Sequence, residues 1–355
     1  MIAQNLHLVS RAVTAPYESS VQAAERWLTR YSDAFGDGAL DGMRIAIWSQ
    51  SAVSRDALSE VLRRLGAEVV EIGRRDHFYA LDTEAVRAED RAWLRAEALK
   101  QRYDAIVSTD GDGDRPLLTT SEGEVVTGDL LGQITAACLG ATVVVTPVNS
   151  NSGVERGGRF QEVRRSAIGS PHVIAQMQAV LRDNPQAKVV GYEANGGFIL
   201  GFDAEAPCDV LPALWTRDSF LPLICCLSEA KKNNGITARL GQEPARFTAQ
   251  SKLEHITPTQ AHGLLDPLAQ PEALKAFLAP LHGFAQSVDR VDGLRITLED
   301  QRILHLRASG NAPEFRIYCE AESADAAQAL LESAQAHITQ AFAHTSRVRT
   351  DPHSG

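Results

Sequence analysis

The sequence predicts an α/β protein: two successive α/β domains with mixed, largely parallel sheets, followed by a C-terminal α+β domain with an antiparallel sheet. Three observations carry that expectation. Short β-branched runs alternate with stretches whose apolar residues recur at helical spacing, the pattern of parallel strands covered by helices. The pattern runs to about residue 127 and starts again at Gly128. Beyond about Ala249 it gives way to short strands parted by turn residues such as Asp292-Gly293.

Residues 1–16 carry no clear pattern and are read as an N-terminal tail. In the first domain (17–127), Val21, Ala24, Trp27, Leu28 and Tyr31 mark a helix that ends in the glycine-rich break Gly36–Gly42. Met43–Trp48 reads as a strand. Ser54 is placed to cap a helix whose Leu58, Val61, Leu62 and Leu65 form a core stripe, and Gly66 suits its end. Ala67–Ile72 is the next strand, Thr83–Lys100 a polar helix, and Asp104–Ser108 a short buried strand.

The second domain (128–248) repeats the scheme with a helix at Gly128–Leu139 and strands at Ala141–Val148 and Val163–Ile168. A helix opened by Pro171, a strand at Ala187–Tyr192 and a helix from Arg217 to Lys232 complete it. Cys225 and Cys226 fall on the apolar face of that last helix, as packing residues. In the third domain (249–355), apolar helical material at Leu264–Leu281 precedes strands at Gln286–Val291, Leu294–Leu298, Ile303–Arg307 and Phe315–Cys319. An amphipathic helix, Ala324–Ala343, closes the chain.

Composition narrows the function classes. With 44% hydrophobic and 23% charged residues the chain has an ordinary soluble make-up, and its net charge of −10 argues against general nucleic-acid binding. Five cysteines without framework spacing point to a reducing cytoplasm. No apolar run approaches membrane-spanning length, and the first twenty residues lack the build of a signal peptide.

The most informative stretch is Ser108–Pro116, S-T-D-G-D-G-D-R-P. Asp110, Asp112 and Asp114 alternate with glycines at the carboxyl end of a buried strand, where open α/β sheets place ligands. Three clustered carboxylates repel one another unless a cation offsets them, and oxygen ligands select a hard divalent ion. A calcium EF-hand would need glycine and glutamate where Arg115 and Ser121 stand. A solvated acidic turn is the plain alternative. Arg115 either offsets these charges or touches a ligand phosphate. Glu193 and Asn195, in the glycine-rich stretch Glu193-Ala194-Asn195-Gly196-Gly197, follow another buried strand. Arg307, Ser309, Gly310, Asn311 and Arg316 make a cradle for a phosphate, or a polar turn.

These loops together resemble the α-D-phosphohexomutases, the phosphomannomutase and phosphoglucomutase superfamily. Asp110-Gly-Asp-Gly-Asp-Arg115 is similar to the family's magnesium loop, and Gly191–Gly197 to its sugar-recognition loop. Arg307–Arg316 resembles the loop that grips the phosphate not being transferred, with Asn311-Ala312 where the family writes threonine-glutamate. Arg165–Gly169, with His172 close behind, looks like the basic active-site segment; a surface ion pair and a helix-start residue are the plain readings of those two.

The resemblance implies an isomerase, an intramolecular phosphotransferase that interconverts hexose 6- and 1-phosphates of mannose or glucose. It implies Mg2+, with Mn2+ as a substitute, on Asp110, Asp112 and Asp114. Hexose phosphates would be the partners, without nucleic acid or membrane. The family carries its phosphoryl group on a serine in a segment like T-A-S-H-N-P, and this sequence contains no Ser-His pair. The chain is therefore expected to begin where the serine-bearing domain ends, that domain being separate or encoded upstream. A catalytically inactive sugar-phosphate-binding or regulatory remnant is the alternative.

Overall fold

The computed structural model describes residues 21–310 and 312–348. The expected tail, the start of the first expected helix and Asn311 lie outside the described residues. The first unit runs α1 (Val21–Phe35), β1 (Arg44–Trp48), α2 (Arg55–Arg64), β2 (Glu68–Ile72), α3 (Ala88–Gln101), β3 (Ala105–Thr109), β4 (Pro116–Thr119) and β5 (Val125–Val126). Its sheet has the order β2-β1-β3-β4-β5; the first three strands are parallel, and β4 and β5 are added as antiparallel hairpins.

The second unit comprises α4 (Gly128–Cys138), β6 (Val143–Pro147), α5 (Gly153–Arg156), β7 (Glu162–Ser166), α6 (Ser170–Asp183), β8 (Val189–Tyr192) and β9 (Phe198–Leu200). A small side hairpin of β10 (Ala204–Glu205) and β11 (Val210–Leu211) leads to β12 (Leu214–Asp218), α7 (Phe220–Lys232) and α8 (Ile236–Leu240). The sheet order is β12-β9-β8-β6-β7, with β7, β6 and β8 parallel and β9 and β12 antiparallel. Both sheets thus follow one plan: a parallel triplet, then an antiparallel pair hinged on the strand that carries the candidate site loop. The acidic loop is the β3–β4 turn, and Glu193–Gly197 is the corresponding β8–β9 turn.

Strands buried on both faces read as unbroken apolar runs, and Ile45-Ala46-Ile47-Trp48 shows why. Ile45 and Ile47 join a core containing Tyr31, Leu62, Ile134, Val190, Tyr192, Phe198 and Ile224, whereas Ala46 and Trp48 pack with Leu94 and Ala98 of α3. One apolar core therefore lies between the two sheets, filled by α1, α2, α4 and α7, with α3 and α6 on the outer faces. Asp218 ties its layers together. Its buried carboxylate accepts Tyr31 Oη–H at 2.9 Å and the N–H groups of Phe220 and Leu221 at the start of α7.

The third unit holds β13 (Phe247–Glu254), α9 (Pro258–Leu265), α10 (Pro271–Leu278), β14 (Ala285–Asp289), β15 (Leu294–Leu298), β16 (Ile303–Ala308), β17 (Glu314–Ala321) and α11 (Ala324–Val348). Its antiparallel sheet has the order β13-β17-β16-β15-β14. Leu294, Ile296, Leu304, Leu306, Phe315 and Ile317 face the helices. Alternation puts Arg295, His305, Arg307, Arg316, Tyr318 and Glu320 on the other face, toward the α/β units. Among the described residues no helix is long and apolar enough to cross a membrane.

Three local expectations need correction. The helix expected from Thr83 starts at Ala88, and the one expected from Arg217 starts at Phe220, because β12 occupies Leu214–Asp218. Ser54 stands at the N-cap of α2, but its hydroxyl pairs with Thr109 Oγ1 at 2.5 Å instead of capping the helix.

The shared core is tight at Gly132 in α4, where a Cβ would lie 2.3 Å from Cγ of the fully buried Tyr192 ring. Alanine is the better helix former by about 1 kcal/mol, but overpacking a core costs about 1–3 kcal/mol. Gly132→Ala should therefore lower stability in urea unfolding, and a gain would show that the ring gives way freely.

Candidate active site

The acidic loop is closed as a hairpin by Asp110 N–H donating to Arg115 O at 3.0 Å. Asp110 Oδ1 accepts the N–H groups of Asp114 and Arg115, both at 3.1 Å, so a buried carboxylate organises the turn. Gly113 takes φ +85°, and a Cβ there would meet Ser54 Cβ at 2.9 Å, so the tight turn needs glycine. Ligand oxygens of Asp110, Asp112 and Asp114 lie within 4.8 Å of one another. Burial pushes the Asp110 carboxyl up to about 6, and Asp112 and Asp114 push the same way against the Arg115 N–H. Asp114 Oδ1 is buried without a hydrogen-bond partner. An all-oxygen set with one orphaned carboxylate oxygen fits a hard divalent cation. Arg115 Nε stands 3.6 Å from Asp110 and 3.8 Å from Asp114, and makes no hydrogen bond.

The β8–β9 turn is closed the same way, by Glu193 N–H donating to Gly197 O at 3.1 Å. Glu193 is buried, and Oε2 has no hydrogen-bond partner. Burial holds its carboxyl above the usual range, against the pull of Arg217 and then Arg115. Asn195 Oδ1 accepts Gly197 N–H at 3.0 Å, and Thr83 Oγ1–H donates to the Asn195 carbonyl at 2.9 Å. Gly196 sits over Pro116 of the acidic hairpin, where a Cβ would be 2.8 Å from Pro116 Cγ.

The structure brings these two loops together through Arg217, which sequence reasoning missed. One of its nitrogens lies 2.5 Å from Asp114 Oδ2 and another 3.7 Å from Glu193 Oε2. No local motif marks it, since its partners are about a hundred residues and about two dozen residues away in the chain.

Arg165 is placed differently. Its guanidinium donates to the carbonyls of Pro147, Ser150 and Asn151 and pairs with Glu155, so it is saturated within its own unit and shapes the turn after β6. His172 is exposed on the first turn of α6. In the third unit, Arg307 and Arg316 are cross-strand partners on β16 and β17. Arg307 Nε approaches Asp292 at 3.4 Å, Arg316 approaches Glu314 at 3.5 Å, and Arg316 Nε is buried without a hydrogen bond. Ser309 N–H donates to Glu314 O at 2.8 Å, closing a third hairpin. Gly310 faces open space.

A cavity of about 360 Å³ joins the three units, lined by Glu84, Asp129, Asn149, Ala194, Arg295 and Tyr318 among others. Glu84 comes from the irregular stretch before α3. Its carboxylate accepts Asn149 Nδ2–H at 3.3 Å, and its carbonyl accepts Gln250 Nε2–H at 3.1 Å. Burial, with Asp82 and Asp129, raises its carboxyl to about 7, while Arg316 and Arg115 pull it back. Burial alone accounts for most of the rise of the fully enclosed Asp129 to about 6.

Comparison with known proteins follows this geometry. Residues 30–123 match the family described as phosphoglucomutase/phosphomannomutase, alpha/beta/alpha domain II, and residues 264–336 match its C-terminal domain. A phosphomannomutase of Sinorhizobium fredii is 39% identical over 315 residues, 88% of this chain and 66% of that protein. The chain belongs to the phosphoglucomutase/phosphomannomutase family. Another family member, the phosphomannomutase of Salmonella muenchen, is also 39% identical, over 90% of this chain. The chain spans 66% of the length of both these relatives. Among solved structures, a phosphoglucomutase/phosphomannomutase family protein from Burkholderia thailandensis shares the fold with a TM-score of 0.68 at 18% identity, covering 90% of this chain and 64% of that one. The N-acetylphosphoglucosamine mutase of Aspergillus fumigatus, solved with GlcNAc-6P and magnesium, gives a TM-score of 0.60 at 15% identity, covering 92% and 67%.

The folded value of Glu84, about 7, lies above its ordinary 4.5, so its ionised form is disfavoured in the folded state. That penalty is absent below about pH 4.5 and complete above about pH 7. Glu84→Gln should thus stabilise the protein by about 1–3 kcal/mol more at pH 8 than at pH 5. Equal effects at both pH values in denaturant titrations would show an ordinary carboxylate.

Proposed function

We propose that this chain supplies the metal, sugar and phosphate sites of a phosphohexomutase that interconverts the 6- and 1-phosphates of mannose, with glucose phosphates as related substrates. The observation that carries the reading is the joining of the aspartate trio and Glu193 by one arginine, in a chain 39% identical to phosphomannomutases. The three units then correspond to three successive family domains, the last beginning at Phe247 with β13 and not at the expected 249.

In this reading Glu193 Oε2 accepts a sugar hydroxyl, and Asn195 reads a neighbouring one. Arg307, Ser309, Gly310, Asn311 and Arg316 hold the phosphate that stays on the sugar, with Arg316 Nε as a donor kept dry and unused for that purpose. Arg115, with Nε against the aspartate trio, offers the rest of its guanidinium to the phosphoryl group in transfer, so that the donor is in place before charge develops. Asp110, Asp112 and Asp114 would hold Mg2+, which would neutralise charge on the transferring phosphoryl group. Arg165 shapes the loop after β6 and does not contact the ligand. Phosphoryl transfer needs a carrier in line with the sugar oxygen, and the family's Ser-His segment is not among these residues. The carrier is therefore assigned to a serine-bearing domain, separate or encoded upstream.

Asp112→Asn should weaken Mg2+ and Mn2+ binding in isothermal titration, because a hard-cation site loses an anionic oxygen. Equal binding by parent and variant would sink the metal assignment. In a coupled mutase assay these residues alone should bind mannose 1-phosphate without turnover. Adding the serine-bearing domain of a related mutase in trans should give turnover that Asp110→Ala abolishes. Metal-dependent turnover without that domain would mean that another nucleophile carries the phosphoryl group. Binding that never becomes turnover with the domain present would leave a sugar-phosphate-binding protein.

A further inference from the structure

Arg217 sits where β12 pairs irregularly with β9: Leu214 is opposite Leu200 and Asp218 opposite Phe198, so four steps on one strand face two on the other. Such a bulge bends the strand and re-aims its side chains. The side chain of Arg217 passes over Gly197, where a Cβ would be 2.8 Å from Arg217 Cδ, and forks toward Asp114 and Glu193. Its backbone is held firmly. Asp218 is fixed by Tyr31 and the start of α7, and Ser219 Oγ–H donates to the Gly113 carbonyl at 2.6 Å, inside the acidic loop. Arg217 is also largely buried, with a side chain 24% exposed.

We propose that Arg217 is a positioning residue that couples cation binding on the aspartate trio to sugar recognition by Glu193. The inference rests on the mutase reading and specifies how its two loops communicate. Arg217 occupies Asp114 Oδ2 and leaves Oδ1 buried without a hydrogen bond, with only Arg115 Nε at 3.8 Å, so the carboxylate is turned with one oxygen available for ligation. Outer partners orient metal-binding carboxylates in this way. The same guanidinium faces a second carboxylate at 3.7 Å. A divalent charge on the trio offsets Asp114's hold on Arg217, which frees the fork to close the 3.7 Å gap to Glu193 and strengthens that pair. An ionised, oriented Glu193 is the stronger acceptor for a sugar hydroxyl. Linkage makes the effect reciprocal, so sugar phosphate should tighten cation binding by the same factor. Lysine would keep the charge but not the planar fork that spans two carboxylates.

The test is Mn2+ binding followed by electron paramagnetic resonance, with and without saturating mannose 1-phosphate, on the parent chain, Arg217→Met and Arg217→Lys. The parent's Mn2+ affinity should rise at least about fivefold with the sugar phosphate. Arg217→Met should bind Mn2+ about tenfold more weakly and show no coupling. Arg217→Lys, which keeps the fold and the charge, should recover much of the Mn2+ affinity without the coupling. Parent-like coupling in either variant overturns the proposal. So does tighter Mn2+ binding by Arg217→Met, which would mean that Arg217 acts on the cation by repulsion alone. If mannose 1-phosphate fails to bind the parent, the mutase reading falls, and the Mn2+ affinities by themselves decide whether Arg217 orients Asp114.

Discussion

The site depends on how closely two glycines pass. A Cβ at Gly128, where α4 begins, would lie 2.2 Å from the Gly196 nitrogen and 2.3 Å from the Ala194 carbonyl oxygen. Backbone atoms cannot yield as a side-chain end can, so any larger residue would push the β8–β9 turn away from the helix. That turn also rests on Pro116 and is tied to Thr83, so the same displacement would pull it from the acidic hairpin. The span from Asp114 to Glu193 is set by one guanidinium, which has no slack to follow such a shift. Behind this contact, the apolar core shared by the two sheets holds their loop-bearing edges side by side.

What those edges hold is an excess of negative charge, part of it buried. Asp110, Asp114, Glu193 and Glu84 face Arg115, Arg217 and Arg316, and Asp112 adds a further carboxylate at the rim. Where a buried acid is fully paired, its carboxyl is drawn down; here burial wins, and Asp110, Glu193 and Glu84 are all held above their usual ranges. A core built only for stability would replace such groups with apolar ones. Local rules are broken where a ligand completes the arrangement, and these loops break them together.

The sequence made the framework legible because the strands that feed the loops are buried on both faces. Ala105–Thr109 and Val189–Tyr192 are apolar runs ending at the acids they present. The hairpins they enter were harder to see. Pro116–Thr119 and Phe198–Leu200 are short, and each follows a loop whose motif draws attention away from the return strand. Phe247–Glu254 is an edge strand with exposed and half-exposed residues in alternation, so it lacks an apolar signature. Leu214–Asp218 lies just ahead of the apolar run Phe220–Leu227, and helical periodicity spreads backward over it. That misreading hid Arg217 in a helix. Glu84 was hidden likewise, because the polar stretch from Thr83 has helical composition, while the Thr83 hydroxyl donates to the Asn195 carbonyl and the Glu84 carbonyl accepts from Gln250 across the junction. Both residues act through partners far away in the chain, and spacing along a sequence carries no trace of such pairs.

The three loops are all hairpin turns, yet they are held by unlike joints. The acidic loop and the Glu193–Gly197 loop belong to units that share one apolar core, so their relation is fixed by packing. The third unit has a core of its own and meets the others through its polar sheet face. Glu320 accepts Ser152 N–H and Oγ–H and pairs with Arg246, Ile168 N–H donates to Asp292, and Gln250 reaches the Glu84 carbonyl. Polar joints between domains give way more readily than apolar ones, because water can replace each bond in turn. The adjustable part of the site is therefore the end that carries Arg307 and Arg316.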